Sequence, residues 1–199
     1  ESAHLWQQYS SFKATLRSRL EKRAAYQGVG QECAARNMLA SLFRNMSFAG
    51  RVLSIDHFDD DLSEGMLWHG TSRESADCIA REGFWIPPEG EADNRKRYGR
   101  GIYFAECLDK SLLYADTKDK LSVVLLCRIA CGACLCTGAE EDPSAHARAM
   151  AAGLDSVLAE PPGHAPRELV ALCEEQVYPE YIVELVRRPG NSSVPSTAV

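Results

Sequence analysis

An α+β fold, with two helices leading into a mixed sheet of short strands, is predicted by three features of the sequence. Leu5, Tyr9, Phe12, Leu16 and Leu20 recur at gaps of three and four, one stripe of an amphipathic helix over roughly residues 3–23. From about Val52 the pattern changes to short apolar runs separated by turns and short helical stretches. Of the 199 residues, 45% are apolar and 25% charged, ordinary values that exclude a fibrous or wholly disordered chain.

After Gly28 and Gly30, a second helical stripe runs through Met38, Leu42, Phe43 and Met46. Strands are expected at Val52–Phe58, Met66–Trp68, Gly101–Ala105, Ser122–Ala130, Leu169–Cys173 and Tyr178–Val186. Thr71-Ser72-Arg73-Glu74 has the form of a capping box, and Gly83 that of a C-cap. Between them Ala76, Ile79 and Ala80 supply one apolar face. A short helix fits Leu108–Asp116, and the Ala-rich stretch Ser144–Ala159 reads as helical. No internal repeat occurs. The organisation is one domain over 1–188, with helices over about 3–48 and the sheet region over about 52–188. Residues 189–199, rich in Pro, Ser and Thr, read as a disordered tail. The start at Glu1, without a Met, is compatible with a piece of a longer protein.

Charge and cysteine usage narrow the function classes. The net charge is −6, which argues against nucleic acid or an anionic membrane as a partner of this domain, although Arg95, Lys96, Arg97 and Arg100 cluster locally. No apolar run approaches the ~20 residues of a membrane span. Eight cysteines in a chain this apolar read as reduced thiols of an intracellular, cytoplasmic or nuclear protein. Cys127, Cys131, Cys134 and Cys136 lie in one strand-like run, a poor ligand geometry for zinc, so no metal is expected. A Walker loop, a Rossmann fingerprint and a His-Glu-x-x-His motif are all absent.

Three segments hold residue types suited to chemistry. His69-Gly70-Thr71 ends an apolar strand and opens onto a capped helix, a place where ligands collect. Tyr98-Gly99-Arg100-Gly101-Ile102-Tyr103-Phe104-Ala105 places two glycines before a strand, permitting close backbone approach to a ligand. It is followed by Lys110, Ser111 and Tyr114, and Tyr103 and Tyr114 either clamp a ring or fill the core. In Arg167-Glu168-Leu169-Val170, a carboxylate heads an apolar strand, either solvated or aimed into a pocket.

In this order, the segments resemble the catalytic domain of the poly(ADP-ribose) polymerase superfamily of ADP-ribosyltransferases, in the branch without a regulatory helical domain. Leu5-Trp6-Gln7-Gln8-Tyr9 and Lys13 resemble that branch's leading helix, and the likeness covers roughly residues 3–187. It implies the ADP-ribosyltransferase fold, a mostly antiparallel split sheet with flanking helices. It also implies NAD consumed as a substrate, no metal cofactor, and transfer of ADP-ribose to protein acceptors. His69, Tyr103 and Glu168 are then the catalytic set. The NAD-binding residues implied are His69, Gly70, Thr71, Tyr98, Tyr103, Phe104, Ala105, Lys110, Ser111 and Tyr114.

The roles implied by the resemblance are specific. Glu168 holds the ribose hydroxyl next to nicotinamide, and His69 the adenosine-side ribose. Gly70 and Ser111 grip the carboxamide, Tyr114 stacks on the ring, and Tyr103 closes the other wall. Lys110 lies near the reacting ribose, and residues 86–98 form a loop over the donor. Glu180, in Tyr178-Pro179-Glu180-Tyr181, competes with Glu168 but falls on the family's last strand, which makes it structural. Trp85 stands where members often carry an arginine. The zinc site of tankyrases does not carry over, because the segment from Tyr114 to Leu126 has no Cys or His. Residues 27–65 form a long connection with no assigned role. An inactive NAD- or ADP-ribose-binding module is the alternative function, though the complete set of three residues favours the enzyme. RNA phosphotransfer on a related fold lacks the arginines and histidines it needs. Whether one ADP-ribose or a polymer is added stays open.

Overall fold

The computed structural model describes residues 2–26, 37–43, 58–88, 97–115, 121–163 and 165–186. The expected strand over residues 52–57, the tail, Cys33, Met46, His57, Arg95 and Lys96 lie outside them. Five helices are described: α1 (Ala3–Tyr26), α2 (37–43), α3 (Arg73–Glu82), α4 (Leu108–Leu112) and α5 (Ala145–Ala151). The strands are β1 (Glu64–Gly70), β2 (Ile102–Ala105), β3 (Leu121–Ala130), β4 (Cys134–Thr137), β5 (Ser156–Ala159), β6 (Glu168–Ala171) and β7 (Val177–Val186). They form one sheet in the order β4-β5-β6-β2-β1-β3-β7, antiparallel except for β4 beside β5. The α+β class is as the sequence predicts.

This sheet is split at its centre. β1 and β3 pair over seven positions, but β1 and β2 share only the pair Trp68↔Ala105. One half-sheet is therefore β1-β3-β7 and the other β4-β5-β6-β2. Leu39 and Leu42 of α2 join Leu67, Phe104, Leu125 and Leu169 in a core that spans both halves. Helix α1 buries Leu5, Tyr9 and Leu16 against Leu62, Ala130 and Tyr178, with Phe12 and Leu20 packed at the side.

The polar side of α1 carries the firmest anchor. Glu64, at the start of β1, has a fully buried side chain. It accepts from Tyr9 Oη at 2.6 Å, Lys13 Nζ at 2.8 Å and the Asp59 N–H at 2.8 Å. Arg128 Nη1 stands 3.8 Å away, and Arg128 also pairs with Glu180 at 2.7 Å. Burial alone would raise the Glu64 pKa, but the bonds from Lys13 and Tyr9 outweigh it and hold the carboxyl below its ordinary value.

Several expectations require correction. The cap of α3 is Ser72, whose hydroxyl accepts from the Ser75 N–H, and not a Thr71–Glu74 box. Gly83 ends that helix at φ +90°, donating to the Ile79 carbonyl. The stretch Ser144–Ala159 is not one helix. α5 stops at Ala151, the chain turns at Gly153 with φ +64°, and Ser156–Ala159 is a fully buried strand. Pairing with β4 on one side and β6 on the other overrides the helical preference of alanine. The cysteine run is two strands broken by a turn at Gly132. Cys127 and Cys131 are buried, and burial pushes both thiols well above their ordinary pKa.

Glu64→Gln should lower stability at pH 7 by about 3–5 kcal/mol, because it leaves buried donors facing an amide. A carboxyl with a lowered folded pKa stabilises above the unfolded value of about 4.3 and loses that contribution as pH falls through the folded pKa. The gap between wild type and variant should therefore close on acidification below about pH 4 in urea unfolding. A gap that stays constant with pH would contradict this reading.

Candidate active site

An open pocket of about 310 Å³ lies where the two half-sheets part. It is lined by Trp68, His69 and Gly70 of β1, Tyr103, Phe104 and Ala105 of β2, and Lys110 and Ser111 of α4. Tyr114, Arg97 and Glu168 of β6 complete it. The volume falls at the lower end of the range for small-molecule sites, about 300–1,000 Å³.

His69 follows the single register pair of the seam. Its Nδ1 lies 2.9 Å from the Tyr103 carbonyl oxygen, which can only accept, so Nδ1 carries the proton. Nε2 then keeps its lone pair. Burial lowers the imidazole pKa, partly offset by the bond to Tyr103, so the ring is neutral at pH 7. The edge of Phe84 at 5.0 Å and the tilted ring of Phe104 at 5.5 Å fix its plane.

Gly70 must be glycine. A Cβ there would stand 1.9 Å from the Ser111 carbonyl oxygen and 3.0 Å from Tyr114 Cβ. The absent side chain lets α4 close on the end of β1, bringing Ser111 and Tyr114 to the pocket. Ser111 is buried, whereas Tyr114 is 62% exposed, a ring at the mouth and not a core residue.

Tyr103 offers the pocket its ring, not its hydroxyl. Its Oη donates to the Gly99 carbonyl at 2.6 Å and accepts from the Tyr98 N–H at 3.0 Å. The glycine that this turn needs, Gly99 at φ +85°, lies against another part of the chain. A Cβ there would meet His146 Cβ at 2.6 Å. The expectation that this glycine pair admits a ligand is thus replaced by close packing of chain on chain.

Glu168 is 4% exposed. Its Oε1 accepts from Lys110 Nζ at 2.6 Å, and Arg97 Nη1 stands 3.7 Å from the same atom. Lys110 also donates to the Pro166 carbonyl at 3.1 Å. Arg97 reaches outward to Glu140 at 3.4 Å and Glu141 at 3.6 Å. Glu180 is elsewhere, at a bulge of β7 opposite Leu126 and Cys127, with its carboxylate bonded to Arg128 Nε and Nη2.

Of the expected site residues, nine line this pocket: His69, Gly70, Tyr103, Phe104, Ala105, Lys110, Ser111, Tyr114 and Glu168. Thr71 and Tyr98 do not. Thr71 precedes the helix cap, and Tyr98 is buried in the core with its hydroxyl donating to the Glu140 carbonyl at 2.8 Å. Trp85 is exposed and outside the lining. Trp68 and Arg97 also line it: Trp68 was not among the expected site residues, whereas Arg97 falls within the 86–98 loop expected over the donor. The position of Trp68 next to His69 was the available signal for it. Among the described residues, no group of three or more His, Cys, Asp or Glu is arranged to hold a metal ion.

The sequence profile of the poly(ADP-ribose) polymerase catalytic domain matches residues 4–162. This chain belongs to that family. The seven-stranded, mostly antiparallel open sheet with its helices agrees with the family's ADP-ribosyltransferase fold. The chain is 32% identical over 85 residues to poly(ADP-ribose) polymerase tankyrase of Caenorhabditis elegans, covering 41% of this chain and 4% of that protein. It is 33% identical over 99 residues to poly(ADP-ribose) polymerase 2 of Arabidopsis thaliana, covering 47% and 15%. Against poly(ADP-ribose) polymerase 1 of Gallus gallus it is 33% identical over 69 residues, covering 34% and 7%. The chain thus spans a small fraction of each relative. The profile match includes His69 and Tyr103 and stops before Glu168.

Gly70→Ala should cost about 1–3 kcal/mol, the usual cost of forcing an atom into a packed site. Urea unfolding of the two proteins measures it. Equal stability would mean that α4 is not held against β1 as described.

Proposed function

We propose that this chain is an NAD-dependent ADP-ribosyltransferase that moves ADP-ribose from NAD to protein side chains. The observation carrying this is Glu168: a buried carboxylate, fixed by Lys110, opening into the same pocket as His69 and two tyrosines. The pocket suits the nicotinamide end of NAD. Past Trp68 the edge of β1 has no β2 partner, which offers the Gly70 backbone beside Ser111 to a planar carboxamide, and Tyr114 supplies an aromatic face.

In this reading the bond between ribose C1′ and the nicotinamide nitrogen breaks. Its electron pair stays with nitrogen, so nicotinamide leaves neutral. The ribose takes on oxocarbenium character, as in glycoside cleavage. Lys110 and Arg97 both approach Oε1 of Glu168, which offers Oε2 to the ribose hydroxyl and the developing cation. His69 Nε2 accepts a hydroxyl of the donor's other ribose. The acceptor oxygen or nitrogen attacks C1′ and loses its proton. Glu168 is suited to draw the acceptor's hydrogen toward itself as the bond forms. The reaction is intracellular, where NAD and reduced thiols occur together. Among the described residues, Glu140, Glu141 and Glu168 stand against Arg97 and Lys110.

The test is a pair of variants with the same change of charge. Glu168→Gln should stay folded, bind NAD with little change, and lose nicotinamide release by ~10²–10³, the scale for one lost transition-state contact. Glu180→Gln should keep the rate within a few-fold and act on stability through Arg128. Single-turnover nicotinamide release at saturating NAD, with a melting curve for each protein, measures both. A dead Glu180→Gln beside a near-normal Glu168→Gln would contradict the assignment.

A further inference from the structure

Glu168 is also held from outside the pocket. Successive residues of a strand point to opposite faces, so Arg167 faces away from the pocket that Glu168 enters. Arg167 is a buried cation that the proposed chemistry does not use. Its Nε and Nη2 donate to Glu106 Oε2 at 3.0 and 2.8 Å. Its backbone N–H donates to Glu106 Oε1 at 2.8 Å, and the Glu106 N–H returns to the Arg167 carbonyl at 3.4 Å. Glu106 directly follows Ala105, the register partner of Glu168. Both residues of the β2–β6 pair that carries the carboxylate are therefore clamped from one side.

The remaining guanidinium nitrogen, Nη1, donates to Ser41 Oγ at 2.6 Å and to the Met38 carbonyl at 3.4 Å. Both belong to α2, inside the 27–65 stretch that had no role. That helix does not float. Leu39 and Leu42 are in the core, and the Phe43 ring lies so close to β1 that a Cβ on Gly65 would be 2.2 Å from it. Helix α2 thus touches β1 on one half-sheet and the start of β6 on the other, across the seam where the pocket opens.

We propose that Arg167, Glu106 and Ser41 form a positioning cluster through which α2 sets the placement of the Glu168 carboxylate. These are positioning residues; none touches the pocket. The catalytic consequence rests on the transferase reading, whereas the mechanical link does not.

Two mild variants test it. Ser41→Ala removes one hydroxyl, and Arg167→Lys keeps the charge but loses the fork that binds Glu106 twice. Amide hydrogen exchange, which needs no activity, should show faster exchange at Leu169 and Val170 in both variants than in wild type. In nicotinamide release, Arg167→Lys should lower kcat about tenfold and Ser41→Ala several-fold, with KM for NAD unchanged within about twofold. In a Glu168→Gln background neither should lower the residual rate further, because the group they position is gone. Unchanged exchange at β6 in both variants would overturn the proposal. So would a rate loss of the same size in the Glu168→Gln background, which marks general loosening of the fold. A wild-type protein that releases no nicotinamide would instead contradict the transferase reading, and the exchange result would then decide the link alone.

Discussion

The hydrogen bond from His69 Nδ1–H to the Tyr103 carbonyl is the interaction on which the site depends. It spans a seam where the two half-sheets share one register pair, Trp68↔Ala105. A side chain accepts the task that a main-chain ladder performs elsewhere in the sheet, and the pocket lies where the strands part. The same bond sets the tautomer of His69 and leaves Nε2 with a lone pair. Each half-sheet then brings its own residues: His69 and Gly70 from one, Tyr103 and Glu168 from the other. A pocket made this way keeps its shape only if both halves are held independently of it.

Buried charges supply that hold, and each is satisfied by several partners. Glu64 receives Tyr9, Lys13 and the Asp59 backbone, tying α1 to the half-sheet of β1. Arg167 meets Glu106 and Ser41, tying α2 to β6. Lys110 joins α4 to Glu168 and to the Pro166 carbonyl before it. Buried ion pairs are poor sources of net stability, because desolvation offsets most of the attraction. Their value here is geometric: a misplaced partner leaves a buried charge uncompensated, so only one arrangement is tolerated.

Much of this was legible in the sequence where local rules act alone. The stripe Leu5, Tyr9, Leu16 marks α1 because one face of a helix repeats every 3.6 residues. His69-Gly70 and Tyr103 stood out locally only as candidates, and their joint reading as a site came from the family resemblance of the three segments in order. Ser156–Ala159 was read as helix because it continues an Ala-rich stretch, whereas its strand state comes from pairing with β4 and β6. Arg97 was expected in the loop over the donor, but its approach to Glu168, 71 positions further along (168 minus 97), is set by the fold alone. Tyr98 illustrates the opposite error. Its place in a motif suggested ligand contact, yet its ring completes the core with Ala145 and Val157.

The central claim is that NAD is cleaved in this pocket and its ADP-ribose kept on protein. NAD labelled on the adenylate phosphate, incubated with the purified chain and a protein acceptor, tests it directly. The account predicts nicotinamide release together with label that stays on protein after denaturation, in comparable amounts. Saturable NAD binding without nicotinamide release would contradict it and mark a binding module instead.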